Sequence, residues 1–153
     1  MLSSAVRNGK RTEMASPIFP DSELLAYLEM RYAEDNRFLC PEYMAYYMQF
    51  RLWKAPEDTT YAVFLNRSRY FIRSMQLTEG MLHRVNLLSA KIRYQMEGVS
   101  YFFVGHTHAA CSTAPSPEDL HTNQILAARF PDRPRFLGQI IVNHKMEYTY
   151  LQP

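Results

Sequence analysis

The sequence predicts a single α/β domain built on a mixed β-sheet with helices packed against it. Apolar residues make up 47% of the 153 residues, which favours a packed core over disorder. Short apolar runs rich in aromatic and β-branched residues also alternate with stretches of helical spacing. The predicted order is helix–helix, strand–strand, helix, strand, helix, strand–strand. No apolar stretch approaches the roughly 20 residues that a membrane span needs, so no membrane partner is expected.

The N-terminal part of the chain is predicted to contain a flexible tail and two helices. Residues 1–19 have little apolar pattern and are interpreted as the tail. Residues 20–37 hold the first helix, because Asp21 and Ser22 resemble an N-cap and apolar residues follow at helical spacing. Pro41 fits the first turn of a second helix that is predicted to extend to Pro56. Its apolar faces carry Tyr43, Met44, Tyr47, Met48 and Phe50. The aromatic cluster of this helix is interpreted as core packing, with a partner-binding face as the alternative, and consists of Tyr43, Tyr46, Tyr47, Phe50 and Trp53.

The middle of the chain, within a main domain of residues 38–153, is predicted to form a hairpin, a helix and a central strand. Tyr61–Leu65 indicates a buried strand, and a polar turn at residues 66–69 leads to a returning strand that begins at Tyr70. Helical spacing continues from Val85 to Met96, and Gly98 is predicted to stop that helix. The apolar run Tyr101–Val104 then predicts a central strand whose end leads directly into two histidines.

The C-terminal part is predicted to form one more helix and a hairpin. The helix begins at residues 116–119 and is broken by Pro131 and Pro134. Ile140–Val142 and Tyr148–Leu151 flank a polar turn and form the hairpin. The last strand, Glu147–Leu151, is an edge that could pair with another copy, and the sequence leaves the oligomeric state open.

Charge and cysteine content narrow the classes of function. The net charge is +2 and the basic residues are dispersed along the chain, which is too little to argue nucleic-acid binding, although it leaves such binding open. Cys40 and Cys111 do not suggest a disulfide framework and are expected to be reduced thiols. No signal peptide is recognisable. We therefore expect a cytoplasmic protein.

The pattern His106-Thr107-His108, Ser116, Asp119 carries the most chemical information. Residues two apart on an extended chain project to the same side, so both imidazoles can reach one point. Ser116 to Asp119 is also a helix-capping arrangement, and the two interpretations are compatible. Two histidines and one carboxylate suit a zinc ion and leave a coordination position for water, whose pKa the metal lowers. Ser116 is suited to donate a hydrogen bond to a developing oxyanion, and a separate carboxylate should act as general base.

This pattern resembles the JAMM motif of the MPN (JAB)-type zinc metalloproteases. Over residues 40–151 the chain is similar to the RadC-like branch of that family, through the strand Tyr61–Leu65, Pro115-Ser116 and a late strand with Glu147-Tyr148. The resemblance implies an MPN-like sheet with cytidine-deaminase-like layering. It also implies a Zn²⁺ ion held by His106, His108 and Asp119, with Ser116 assisting the transition state. The implied activity is hydrolysis of a peptide or isopeptide bond in a protein or peptide substrate.

The chain departs from the family pattern at the general base. The family places a glutamate at the start of the first core strand, and the matching position here is Asp58, with Glu57 beside it. Adjacent residues of a strand point to opposite faces, so both cannot serve in one register. A solvated acidic turn is the alternative interpretation for the pair.

Two further features bear on the site. Gly138-Gln139 stands where the RadC-like branch has an Asp-His pair. Cys111 is interpreted as a small loop residue, but as a fourth thiolate ligand it would close the site. The departure at the general base is the chief reason for an alternative function, which is a non-catalytic RadC-like module that acts through protein or nucleic-acid contacts, in a role related to DNA repair. The sequence does not reveal the substrate.

Overall fold

The computed structural model describes residues 22–52, 55, 59–77, 85–95, 97–108 and 112–153. The predicted tail, the acidic pair Glu57 and Asp58, and Cys111 lie outside the described residues. The described residues contain four helices and five strands in the order that the sequence predicts. The helices are α1 (Ser22–Asp35), α2 (Pro41–Arg51), α3 (Val85–Arg93) and α4 (Pro117–Arg129), and the strands are β1 (Thr60–Leu65), β2 (Phe71–Leu77), β3 (Tyr101–Thr107), β4 (Arg135–Val142) and β5 (Tyr148–Leu151).

The five strands form one mixed sheet in the order β2-β1-β3-β4-β5. All neighbouring pairs are antiparallel except β3 and β4, which are parallel. Parallel neighbours need a crossover connection, and α4 forms part of it. A crossover helix follows the C-terminal end of its first strand, so the first turn of α4 is brought towards the end of β3. The topology therefore brings together residues 106–108 and residue 119.

Helices cover both faces of the sheet and divide the core into two clusters. On one face, Tyr47 and Met48 of α2 and Phe38 of the segment between α1 and α2 pack against alternate residues of β1, β3 and β4. On the other face, Leu88 and Ile92 of α3 and Leu126 of α4 pack with the remaining alternate residues of the strands. The α/β class and the mixed sheet flanked by helices are thus confirmed. Among the described residues, no helix combines the length and the apolar character that crossing a bilayer demands.

The central strand is longer than predicted. It continues past Val104 to Thr107, so His106 lies within β3 and only His108 follows it. The reason is tertiary, because His106 is paired with Thr60 of β1 on one side and with Ile141 of β4 on the other. The prediction that both histidines come after the strand is therefore wrong for His106.

Two helices end earlier than predicted. The second helix ends at Arg51 rather than near Pro56, because Leu52 leaves the helical conformation and its side chain is buried. The third helix ends at Arg93, where the Tyr94 N–H is shared between two carbonyl oxygens and the chain enters a turn. Gly98 does not cap that helix. Its φ of 74° instead belongs to the turn that leads into β3.

The fourth strand begins at Arg135, five residues before the predicted Ile140. Phe102 pairs with Phe136 and Val104 with Gln139, so β4 has one extra residue between these pairs. This irregularity contains Gly138, whose φ of 120° is favourable only for glycine. The bulge resets the alternation of side chains and places Gln139 on the same face as α4.

Candidate metal centre

The candidate centre lies where β3 ends beneath the first turn of α4. His106 is held within the strand, and the backbone N–H of His108 donates to the Val142 carbonyl at 2.9 Å. Asp119 occupies the third position of α4. The three side chains are thus placed by a strand with neighbours on both sides and by a capped helix, rather than by a loose loop.

The ligand atoms of these three residues converge. The His106 and His108 Nε2 atoms are 3.1 Å apart. His106 Nε2 lies 3.4 Å from Asp119 Oδ1, and His108 Nε2 lies 3.3 Å from Asp119 Oδ2. Ligand atoms about 2.0–2.1 Å from one tetrahedral zinc ion are separated from each other by about 3.3 Å. The spacing and the donor set of the described residues therefore fit a metal ion of this kind.

Asp119 is fixed by the helix cap that contains it. The Ser116 backbone N–H donates to Asp119 Oδ2 at 2.9 Å, and the Asp119 N–H donates to Ser116 Oγ at 3.0 Å. This reciprocal arrangement is a capping box, and it confirms Ser116 as the N-cap. Accepting a bond does not use the hydroxyl hydrogen of Ser116, so the hydroxyl retains the capacity to donate.

The centre is buried but has one accessible side. The side chains of His106 and Asp119 are 2% and 1% exposed, whereas that of His108 is 20% exposed. Burial alone raises the pKa of the Asp119 carboxyl group. The hydrogen bonds from His106 and from the Ser116 backbone outweigh that effect and hold the pKa well below its usual range. Asp119 is therefore the anionic form that a cation needs as a ligand.

Two buried polar atoms next to the centre have no hydrogen-bond partner among the described residues. One is Nδ1 of His106, and the other is Oε1 of Gln139. Gln139 Nε2 donates to the backbone oxygen of Asp119 at 3.2 Å, and this amide is fully buried. When a histidine binds a metal through Nε2, its Nδ1–H needs an acceptor, which is usually a carboxylate, a carbonyl oxygen or water. Through its bond to the Asp119 carbonyl oxygen, Gln139 connects the first turn of α4, which carries the ligand, to the sheet.

The predicted site residues have three different outcomes. His106, His108 and Asp119 are brought together, and Ser116 caps the helix that carries Asp119. Glu57 and Asp58 lie outside the described residues, so their predicted role as general base stays a prediction. Gln139 was noted only as a departure from the family pattern, and its contact with Asp119 was missed. The glycine before it, which interrupts a strand pattern, is the signal that could have indicated the bulge.

The comparisons with known proteins add no relative. No protein-family model matches this chain, and no curated protein matches its sequence. The MPN-type resemblance accordingly stays a prediction from the motif.

Proposed function

We propose that this chain is a zinc-dependent hydrolase of the JAMM type that cleaves a peptide or isopeptide bond in a protein or peptide substrate. The observation that carries the proposal is the convergence of His106, His108 and Asp119 at separations that suit one tetrahedral ion. The resemblance to the JAMM motif supports the reaction class. The buried centre with one accessible side suits a catalytic site better than a closed structural one.

In this proposal the two histidines and Asp119 hold the ion, and the protein supplies orientation. A bound zinc ion contributes Lewis-acid chemistry and activates water for attack on a carbonyl carbon. Three protein ligands leave one tetrahedral position for the reaction. The partial exposure of His108 identifies the side from which a substrate would approach.

Ser116 has a structural role and a proposed catalytic one. Its Oγ accepts from the Asp119 N–H, and this bond orients the hydroxyl in front of the helix. In the proposal the hydroxyl hydrogen is donated to the oxyanion that develops on the attacked carbonyl. The cap and the oxyanion contact use different parts of the same group, so one does not exclude the other.

The general base of the proposal is Asp58, with Glu57 as the alternative. Thr59, which follows Asp58 in the chain, receives a hydrogen bond from the Thr107 backbone N–H at 3.2 Å. Thr60 is the cross-strand partner of His106, and directly opposed side chains lie on the same face of a sheet. The family pattern has its glutamate at the position of Asp58, and this favours Asp58 over Glu57.

The first test is metal binding by the full chain. Zinc content is measured by elemental analysis and affinity by competition with a chromophoric chelator. We expect one zinc per chain, and His108→Ala should weaken binding by more than about 100-fold, because changing even an outer-shell partner costs 10–100-fold. His121→Ala is the matched control, since His121 lies on α4 outside the cluster. Equal zinc binding by the His108→Ala and wild-type proteins would contradict the site.

The second test is cleavage by the zinc-loaded chain. Libraries of internally quenched peptides, with linear and lysine-isopeptide linkages, are scored by fluorescence and mass spectrometry. We expect cleavage that Asp58→Asn abolishes while zinc is retained. Cleavage that is lost in Glu57→Gln instead would assign the base to Glu57. Zinc binding without cleavage of either linkage would contradict the hydrolase proposal and favour the non-catalytic module.

A further inference from the structure

The opposite end of the sheet carries a polar cleft of about 650 Å³. It is lined by the β1–β2 turn, by the residues that lead into β3, and by the start of β4. Backbone hydrogen bonds hold these three segments together, because the Ser100 N–H donates to the Leu65 carbonyl and the Arg135 N–H donates to the Ser100 carbonyl. From Tyr101 to His106 the strand rises over five residue steps, or about 17 Å, so the cleft is separate from the metal centre.

The arginines of the described residues divide into two groups. In seven of the ten, the side chain contacts a carboxylate, a carbonyl oxygen, a polar side chain or an aromatic ring of the protein. These seven are Arg31, Arg37, Arg51, Arg69, Arg73, Arg93 and Arg129. The other three, Arg67, Arg133 and Arg135, are exposed and have no such partner among the described residues. All three line this one cleft.

Two other arginines near the same end of the sheet do have partners within the protein. Arg69 stacks on the Tyr101 ring at 4.6 Å, and Arg37 donates to the Ser68 carbonyl at 2.8 Å. Partners for a guanidinium group are therefore present at this end of the molecule and are used. Three exposed guanidinium groups around one concave surface form an arrangement that suits an anion.

Charge and size define the class of ligand. The cleft contains three guanidinium groups and one carboxylate, that of Asp132, which leaves a local charge of +2. A phosphate monoester carries about −1.5 to −2 at pH 7, and its oxygens match the fork of a guanidinium group. The volume lies within the roughly 300–1,000 Å³ of small-molecule sites. Ser100 and Asn66 add polar groups to the lining.

We propose that this cleft is a binding site for the phosphate monoester group of a small phosphorylated molecule, held by Arg67, Arg133 and Arg135. The site is independent of the proposed hydrolase activity. Asp132 repels the anion and weakens its binding. Removing the charge of Asp132 should therefore raise the affinity for phosphate. A longer polyanion such as a nucleic-acid strand is the competing occupant, and the experiment distinguishes the two.

The test is calorimetric titration of the full chain with adenosine monophosphate, with adenosine as the ligand that lacks phosphate. EDTA is present throughout, so that contact between phosphate and a bound metal ion does not contribute. We expect saturable binding of the monophosphate, no binding of adenosine, and displacement by inorganic phosphate. Arg133→Gln and Arg135→Gln should each weaken binding roughly tenfold, and Asp132→Asn should strengthen it.

Arg31→Gln is the matched control, because Arg31 is an exposed arginine paired with Asp35 on α1. It removes the same charge and should leave phosphate affinity unchanged. The proposal is overturned if no saturable binding occurs at millimolar ligand, or if Arg31→Gln weakens binding as much as Arg133→Gln. It is also overturned if a ten-residue oligothymidine binds at the cleft and inorganic phosphate does not compete, since that result assigns the cleft to a polymer.

Discussion

The Asp119 carboxylate has two roles, one in the helix cap and one beside the two histidines. Its Oδ2 accepts from the Ser116 N–H in the helix cap, and its carboxylate is also within 3.4 Å of both histidine Nε2 atoms. The cap therefore fixes the rotamer that the metal ion needs. The same residues explain why the Ser116–Asp119 spacing fits both a capping box and a ligand motif.

The two roles of Asp119 can be separated by substitution. Ser116→Ala removes the side-chain half of the cap, and we expect it to lower the free energy of unfolding of the metal-free protein by about 1 kcal/mol. Its zinc affinity should be retained, because the Ser116 backbone N–H still orients the carboxylate. Asp119→Asn keeps an oxygen acceptor for that N–H but should lose zinc binding. Urea unfolding and chelator competition measure the two effects, and equal zinc loss in both variants would contradict this separation.

Gln139 is expected to position the ligand-bearing turn. Gln139→Met keeps the side-chain volume but removes the donor to the Asp119 carbonyl, and we expect zinc affinity to fall about tenfold, as for other outer-shell partners. Gln49→Met is the control, because Gln49 is also a buried glutamine that donates to a backbone carbonyl, that of Met146. Gln49 belongs to α2, on the face of the sheet opposite α4. If both variants lose zinc affinity equally, Gln139 has only a general packing role.

At the scale of elements, the close contact of β3 with α2 explains one glycine. Gly105 lies between Val104 and His106 and faces α2, where Met48 is fully buried. A Cβ at Gly105 would lie 2.6 Å from Met48 Cγ and 2.8 Å from Met48 Cε, which is too close for carbon atoms. The helix can therefore approach the strand only because residue 105 has no side chain.

We expect Gly105→Ala to lower the free energy of unfolding by about 1–3 kcal/mol through overpacking. Met48→Ala alone should cost about 2–5 kcal/mol, because it leaves a cavity. The double variant should cost less than the sum of the two, since the new methyl group then occupies part of that cavity. Denaturant unfolding of the four proteins measures this coupling.

Gly98→Ala is the control for that cycle. Gly98 has a φ of 74°, and a Cβ added there would meet no atom within 4 Å, so the cost of the substitution comes from backbone conformation. Combining it with Met48→Ala should give additive costs. Additive costs for Gly105→Ala with Met48→Ala would show that the contact with Met48 is not the cause.

At the scale of the whole molecule, a metal ion would connect the sheet to α4. His106 and His108 belong to the β3 segment, while Asp119 belongs to the crossover helix, so binding requires the folded arrangement of both. A ligand that binds only the folded state stabilises it by mass action. At free zinc 100 times its dissociation constant, this amounts to about 2.7 kcal/mol.

We therefore expect zinc to raise the melting temperature by about 5–11 °C for a chain of this size. Magnesium should not do so, because it prefers six oxygen ligands. Differential scanning calorimetry with each ion measures the shift, and His108→Ala should remove the zinc effect. An equal zinc shift in His108→Ala would indicate binding elsewhere.

The parts of the structure that were predicted correctly are those with local signals. The Ser116–Asp119 cap is complete within four residues, and the strand Tyr61–Leu65 and the final hairpin depend on short apolar runs with a polar turn between them. The His-x-His spacing likewise involves only three consecutive residues at the end of one strand. These features depend on the backbone geometry of neighbouring residues, which hardly changes with the rest of the fold.

Features that depend on distant partners could not be predicted. The faces of α2 are an example, because Tyr47 is fully buried while Tyr43 and Tyr46, at similar helical spacing, are 38% and 48% exposed. The sequence is compatible with both core packing and a partner-binding face for this aromatic cluster. Only the position of α2 on the sheet decides which of its tyrosines are buried. The length of β3 was missed for the same reason, since its last residues are extended by pairing with β1 and β4.

The sequence by itself determined the order of the elements, the mixed α/β class and the short pattern of ligand-type residues, because each is encoded within a few consecutive positions. Only the tertiary structure decided that Asp119 lies against the two histidines, that Gln139 supports it, and that Arg67, Arg133 and Arg135 share one cleft. The physical reason is that the crossover and the pairing of strands join residues that lie far apart in the chain. Three arginines from separate parts of the sequence thereby lie together at one end of the sheet.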